Sequence, residues 1–271
     1  MSYAVLMAYV DADGIPEQRV RLAASLADKF NATLIGLSAL GPPLLGKGVV
    51  FQEVTESDIK EMRALLAAKG NWFRSIAGAD HRRLEWRPIL DFPTDALARE
   101  ARSADLIVIG HTMGAGDAYR SLDPGGSLLT IGRPTLIVPE GVSSLRAERV
   151  VIGWKDTREA RRAVQDALPF LHEAARVTVV EICGSGEEGA AQERVGDVVR
   201  YLTRHRINGG TRVIPNQQGS GAAQLIKLAQ DEGADLLVTG AYGRSRLGEW
   251  IFGGMTRGLL ATNSICCLMS H

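Results

Sequence analysis

Residues 234–256 read ADLLVTGAYGRSRLGEWIFGGMT. A short apolar run, Leu236-Leu237-Val238, ends at Gly240. Gly243 follows, then nine residues, then Gly253-Gly254-Met255-Thr256 and a helix-like tail, RGLLATN. A short apolar run of this kind reads as a buried parallel strand. The glycines fall where the strand stops and again just before a helix. Lacking a Cβ, glycine lets backbone N–H groups approach an oxygen-rich group closely. A helix N-terminus adds unpaired N–H donors and a partial positive charge. Together these suit a phosphate. The same glycines also fit tight turns and close helix–sheet packing, and their spacing alone does not choose.

The chain repeats itself. ADLIVIG at 104–110 matches ADLLVTG at 234–240, and RPTLIVP from Arg133 matches NSICCLM from Asn263, both 130 residues apart. VLMAYVD from Val5 matches VVIGWKD from Val150 at 145 residues. The first copy thus carries about fifteen more residues between its early and late strands, most simply in LGPPLLGKGVVFQEV (40–54). This period is too long for a solenoid and implies two similar tandem domains, 1–140 and 149–271. A length of 271 residues agrees with two domains, each able to bury its own core.

Lys and Arg number 31, as do Asp and Glu, so the formal net charge is zero. Nothing electrostatic then favours nucleic acid or an anionic membrane as partner. No apolar stretch is long enough to span a bilayer. The first residues lack a basic region and a cleavage site, so no signal peptide is expected. Cys183, Cys266 and Cys267 lack metal-ligand spacing, which points to buried thiols in a cytoplasmic protein. The five histidines (His81, His111, His172, His205, His271) are isolated, so no metal site is expected.

Strand and helix patterns alternate through both copies. In the first, strands are expected at 3–10, 32–40, 84–90, 105–110 and 135–138, with helices at 16–30, 56–77, 94–102 and from 126. In the second, strands fall at 150–154, 177–182, 210–215, 236–240 and 265–269, with helices at 158–173, 187–205, 221–232 and from 255. Such alternation implies an α/β fold with parallel strands and right-handed crossovers. Ligands of open α/β sheets bind beyond the carboxyl ends of the strands, where strand order reverses.

The tandem order, with G-x2-G-x9-G in Gly240, Gly243 and Gly253, resembles the universal stress protein family over essentially the whole chain. The resemblance implies two Rossmann-like domains, each a five-stranded parallel sheet in the order 3-2-1-4-5. It also implies that the two fifth strands pair as an internal pseudo-dimer. Nucleotide-binding members hold ATP between strands 1 and 4. The positions carried over to this chain are Gly240, Gly243, Arg244, Gly253, Gly254, Met255 and Thr256 on the glycine loop, and Lys155, Asp156 and Thr157 after the first strand of the second copy.

Two residues depart from the ATP-binding pattern. Gly254 stands where the pattern has Ser or Thr, leaving backbone N–H groups and then the Thr256 hydroxyl. Lys155 stands where it often has Asp near adenine and ribose. Lys155 reads either as an exposed loop lysine or as a mobile charge near phosphate. One hydrogen bond to a charged group is worth about 1.5–3 kcal/mol, so these changes are expected to weaken binding and need not abolish it. The first copy departs further. No G-x2-G follows Gly110, and Asp117 and Asp123 add negative charge where a triphosphate would lie, whereas Arg244 and Arg246 stand in the second loop. The first copy is expected to be folded but degenerate as a nucleotide site.

There is no GxxxxGK[ST], no G-x-S-x-G, and no GxGxxG after either first strand, which argues against P-loop, hydrolase and dehydrogenase chemistry. Trp154 and Trp250 flank the pocket in sequence, with helix packing favoured over base stacking. Three functions compete. The first is a stress-response regulatory protein binding ATP, with or without Mg, or another adenine nucleotide in the second copy, and hydrolysing it slowly at most. The second is a ligand-independent interaction module. The third is an enzyme acting on an adenylate or other phosphate-bearing small molecule, for which no nucleophile–base pair is visible. A homodimer of tandem chains is a further expectation.

Overall fold

Aspartate at the start of each ADL motif does the same job in both copies. Asp105 Oδ2 accepts hydrogen bonds from the backbone N–H of Ala4 (2.8 Å) and Val5 (3.0 Å). Asp235 accepts from Glu148 N–H (3.1 Å) and Arg149 N–H (2.9 Å). Each carboxylate thereby pins the start of its copy's first strand beside its fourth. This repeated device follows directly from the repeated sequence.

In the computed structural model, residues 2–14, 16–41, 54–78, 83–111, 120–216, 220–243, 254–261 and 264–271 are described. The chain forms two units. One comprises Tyr3–Arg133 with Glu140–Ser144; the other includes Pro134–Pro139 and Leu145–His271.

The first unit contains β1 (Val5–Tyr9), α1 (Glu17–Phe30), β2 (Thr33–Ala39), α2 (Glu56–Ala77), β3 (Leu84–Ile89), α3 (Pro93–Glu100), β4 (Leu106–Gly110) and α4 (Pro124–Thr130). Its strands run parallel in the order β3-β2-β1-β4. β1 lies inside this order, and both β1 and β4 are apolar along their length, with Leu6, Met7, Ile107 and Val108 fully buried. α1 stops at Asn31, whose left-handed backbone (φ 53°) closes the helix. α2 starts with a capping box between Thr55 and Asp58. The segment 40–54, the expected place of the first copy's extra residues, falls largely on residues 42–53, outside the described residues.

The second unit contains β5 (Thr135–Val138), β6 (Arg149–Trp154), α5 (Arg158–Asp166), α6 (Leu168–Leu171), β7 (Arg176–Cys183), α7 (Glu188–Arg204), β8 (Gly209–Pro215), α8 (Gly221–Asp231), β9 (Leu236–Gly240), α9 (Gly254–Leu260) and β10 (Cys266–Ser270). The strand order is β5-β10-β9-β6-β7-β8. β10, β9, β6, β7 and β8 are mutually parallel. β5, the last strand of the first copy, adds to the edge antiparallel to β10, with Ile137 opposite Cys267.

One expected element is corrected. The single helix at 158–173 is two, broken at Ala167. Pro169 causes the break: it has no N–H to continue the ladder, and its ring crowds the preceding turn. The three cysteines are buried and unbridged, as expected. Burial pushes the Cys266 and Cys267 thiols up to about 12, so they stay protonated and unreactive.

Asp235→Ala should remove both anchors of β6 and lower stability by about 1–2 kcal/mol, read as an earlier midpoint in urea denaturation. An unchanged midpoint would contradict the anchoring role.

Candidate functional site

From β6 the chain winds outward through β7 and β8, then returns to the other side of β6 through β9 and β10. Strand order therefore reverses between β6 and β9, which is where an open α/β sheet presents a ligand crevice. A cleft of about 390 Å³ lies there, within the range of small-molecule pockets. Trp154 from β6, Val180 and Ile182 from β7, Leu225 from α8 and Met255 from α9 supply apolar walls. Thr157, Gly240, Gly243, Gly254 and Thr256 form a polar end, with Lys155 and Asn216 also on the lining.

Most of the expected residues therefore meet at one place. Gly240, Gly243, Gly254, Met255, Thr256, Lys155 and Thr157 all line the cleft. Arg244, Arg246, Gly253 and Trp250 lie outside the described residues. Asp156 is not on the lining; its carboxylate pairs with Arg161 on the exposed side of α5.

The glycines do different work. A Cβ on Gly240 would stand 2.6 Å from Ala160 N and 2.7 Å from the Glu159 carbonyl carbon. These are backbone atoms of α5, so Gly240 is demanded by packing whether or not a ligand binds. A Cβ on Gly243 would meet Thr157 Oγ1 at 3.1 Å and Glu159 Oε2 at 3.3 Å. A Cβ on Gly254 would meet nothing within 4 Å. Among the described residues of the loop, the left-handed one is Tyr242 (φ 56°). A non-glycine residue in that region stores strain, a feature common at functional loops.

Two hydroxyls among the expected binding residues already have backbone duties. Thr157 caps α5, accepting from Ala160 N–H at 3.3 Å. Thr256, 3 % exposed, accepts from Tyr242 N–H at 3.1 Å and so ties the strained loop to α9. Thr256 retains its O–H as a donor, whereas the Thr157 O–H is given to the Glu159 carboxylate.

Glu159 was not anticipated. This second residue of α5 is 5 % exposed, and its carboxylate accepts from Arg158 Nε at 2.5 Å. Burial opposes its ionisation. Hydrogen bonds from Arg158, its own N–H and Thr157 outweigh burial and hold the carboxyl below the usual range. No motif signals it; only its place in the first turn after the cap could have. Trp154, expected to pack on a helix, lines the cleft, and its buried indole Nε1 has no partner among the described residues.

The corresponding corner of the first unit is filled by its own charges. A Cβ on Gly110 would lie 2.6 Å from Nη1 of Arg19, whose guanidinium also pairs with Asp11 at 2.5 Å. Asp123 accepts from Gly125 N–H and Gly126 N–H, both at 3.0 Å, and so occupies the N-terminus of α4. Arg120 pairs with Asp13 through two bonds of 2.9 Å. Asp117 lies outside the described residues. Among the described residues, no group of His, Cys, Asp or Glu is arranged to hold a metal ion, and no helix is long and apolar enough to cross a membrane.

Residues 147–269 match the model of the universal stress protein family. A search of curated proteins by sequence found no match. Several solved structures share the architecture over nearly the whole chain. A universal stress protein from Archaeoglobus fulgidus is 14 % identical with a TM-score of 0.74, covering 98 % of this chain and 95 % of that one. A putative universal stress protein from Pseudomonas aeruginosa UCBPP-PA14 is 13 % identical with a TM-score of 0.65, covering 99 % and 93 %. A functionally unknown protein from Pseudomonas aeruginosa PAO1 is 12 % identical with a TM-score of 0.64, covering 99 % and 92 %. At these identities the likeness speaks to the fold, and the family match to the second half. The second copy, residues 147–269, thus matches the universal stress protein family, and the chain as a whole shares the fold of these solved structures.

Proposed function

We propose that this is a cytoplasmic regulatory protein of the stress response that holds ATP, or another adenine nucleotide, in the cleft of its second unit. The observation that carries the reading is the division of that cleft into an apolar part and a polar part at the switch point of the sheet. Trp154, Val180, Ile182 and Leu225 suit a base. Gly243 and Gly254 offer close-approach backbone and Thr256 a hydroxyl donor to phosphate, with Thr157 beside them, and Lys155 adds a mobile cation. Arg244 and Gly253 would complete the same loop. Mg would accompany a triphosphate through the phosphate oxygens, since the described residues bring no carboxylate cluster to the cleft.

The reading includes the arrangement of the copies. Each repeat is a domain, 1–140 and 149–271, and the antiparallel pairing of β5 with β10 supports a join through the two fifth strands. Arg19 against Gly110, and Asp123 on α4, support a single nucleotide per chain.

A ligand-independent interaction module is the second reading. It is favoured by Gly240, whose lack of a side chain is explained by packing alone, and by Thr157 and Asp156, which are engaged within the protein.

Thermal melting with and without Mg-ATP, ADP and AMP separates the two, because a ligand that binds only the native state raises the midpoint. The expected result is a rise with at least one of them and a titration stoichiometry of one per chain. No rise with any would favour the second reading, and a stoichiometry of two would refute the closed first-unit site.

Substitutions separate folding from binding. Gly254→Val projects into open space, so it should change stability by no more than about 0.5 kcal/mol while blocking the ligand. Gly240→Ala drives a methyl into the α5 backbone and should cost about 1–3 kcal/mol with or without nucleotide. Unchanged nucleotide affinity in Gly254→Val would place the ligand elsewhere.

A further inference from the structure

A helix N-terminus beside a glycine loop normally leaves its positive end to the ligand. In the second unit that end is already spoken for. The Glu159 carboxylate lies in the first turn of α5, buried, within bonding reach of Arg158 and Thr157. It also stands 3.3 Å from where a Cβ on Gly243 would be, and Thr157 and Gly243 both line the polar end of the cleft. A fixed negative charge thus backs the corner that would receive phosphate. Among the described residues, the cations near this corner are Lys155 on the lining and Arg158, which is 72 % exposed and already bonded to Glu159. Asp156 is held by Arg161.

Coulomb repulsion between a buried carboxylate and a nearby anion grows with each charge the anion carries. We infer that Glu159 determines the charge selectivity of the cleft. It opposes phosphate charge on the ligand while leaving recognition of the base untouched. Without divalent cation, the cleft then ranks nucleosides and singly charged phosphoesters higher, relative to polyphosphates, than the glycine loop alone would. This inference rests on the cleft being a nucleotide site.

Isothermal titration of adenosine, AMP and ATP, with EDTA and at low ionic strength, tests it on the wild type, Glu159→Gln and Arg158→Gln. Glutamine keeps the shape of Glu159 and removes its charge; melting curves confirm that each variant folds. Glu159→Gln should tighten AMP by about tenfold, tighten ATP by more than AMP, and leave adenosine within about twofold. Arg158→Gln, which strips the partial neutralisation of Glu159, should shift AMP and ATP the opposite way and by less, because Arg158 is solvent-screened. If adenosine binds and the three ligands keep the same relative affinities in Glu159→Gln, the selectivity role is overturned and the nucleotide reading stands. If none of the three binds either the wild type or Glu159→Gln, with EDTA or with added Mg, both fall.

Discussion

The structure of the second unit turns on one close approach: the last residue of β9 against the first turn of α5. Gly240 lies so near Ala160 N and the Glu159 carbonyl carbon that no other side chain fits. This contact sets α5 on the sheet, so that Thr157 and Glu159 stand beside Gly243 at the mouth of the crevice between β6 and β9. The cleft therefore owes its polar end to packing first. Beside that contact the space at Gly254 stays free and the Thr256 O–H remains a donor.

The first unit shows what the same approach becomes with a different side chain. Gly110 ends β4 as Gly240 ends β9, but it faces the Arg19 guanidinium rather than helix backbone. With Asp11 on Arg19 and Asp123 on the N–H groups of α4, the corner holds charges that neutralise one another. Asp123 acts there by satisfying the donors an anion would use, which is a more local effect than the long-range repulsion read from sequence. In the second unit Glu159 is a milder version of the same thing: a carboxylate at the helix start that leaves the cleft itself open.

Much of the fold was legible because its signals are periodic and duplicated. The repeated ADL motif located both fourth strands, and Asp105 and Asp235 perform the same bond in each copy. The glycine loop led to the cleft, where Gly240, Gly243, Gly254, Met255 and Thr256 do meet. Three features were out of reach. Pro169 was swallowed by a helix pattern that its missing N–H interrupts. Asn216 comes from the far end of β8, and nothing in local spacing brings it to the glycine loop. Glycine spacing could not distinguish Gly240, needed for packing, from Gly254, which faces open space, because that depends on what lies across from each Cα.

The central claim is that ligand chemistry resides in the second unit and is closed off in the first. A crystal structure of the protein soaked with AMP or Mg-ATP tests it most directly. Density for one nucleotide is predicted, with its base against Trp154 and Val180 and its phosphate beside Gly243 and Gly254. Density beside Gly110 in the first unit, or an empty cleft at a saturating concentration, would contradict it.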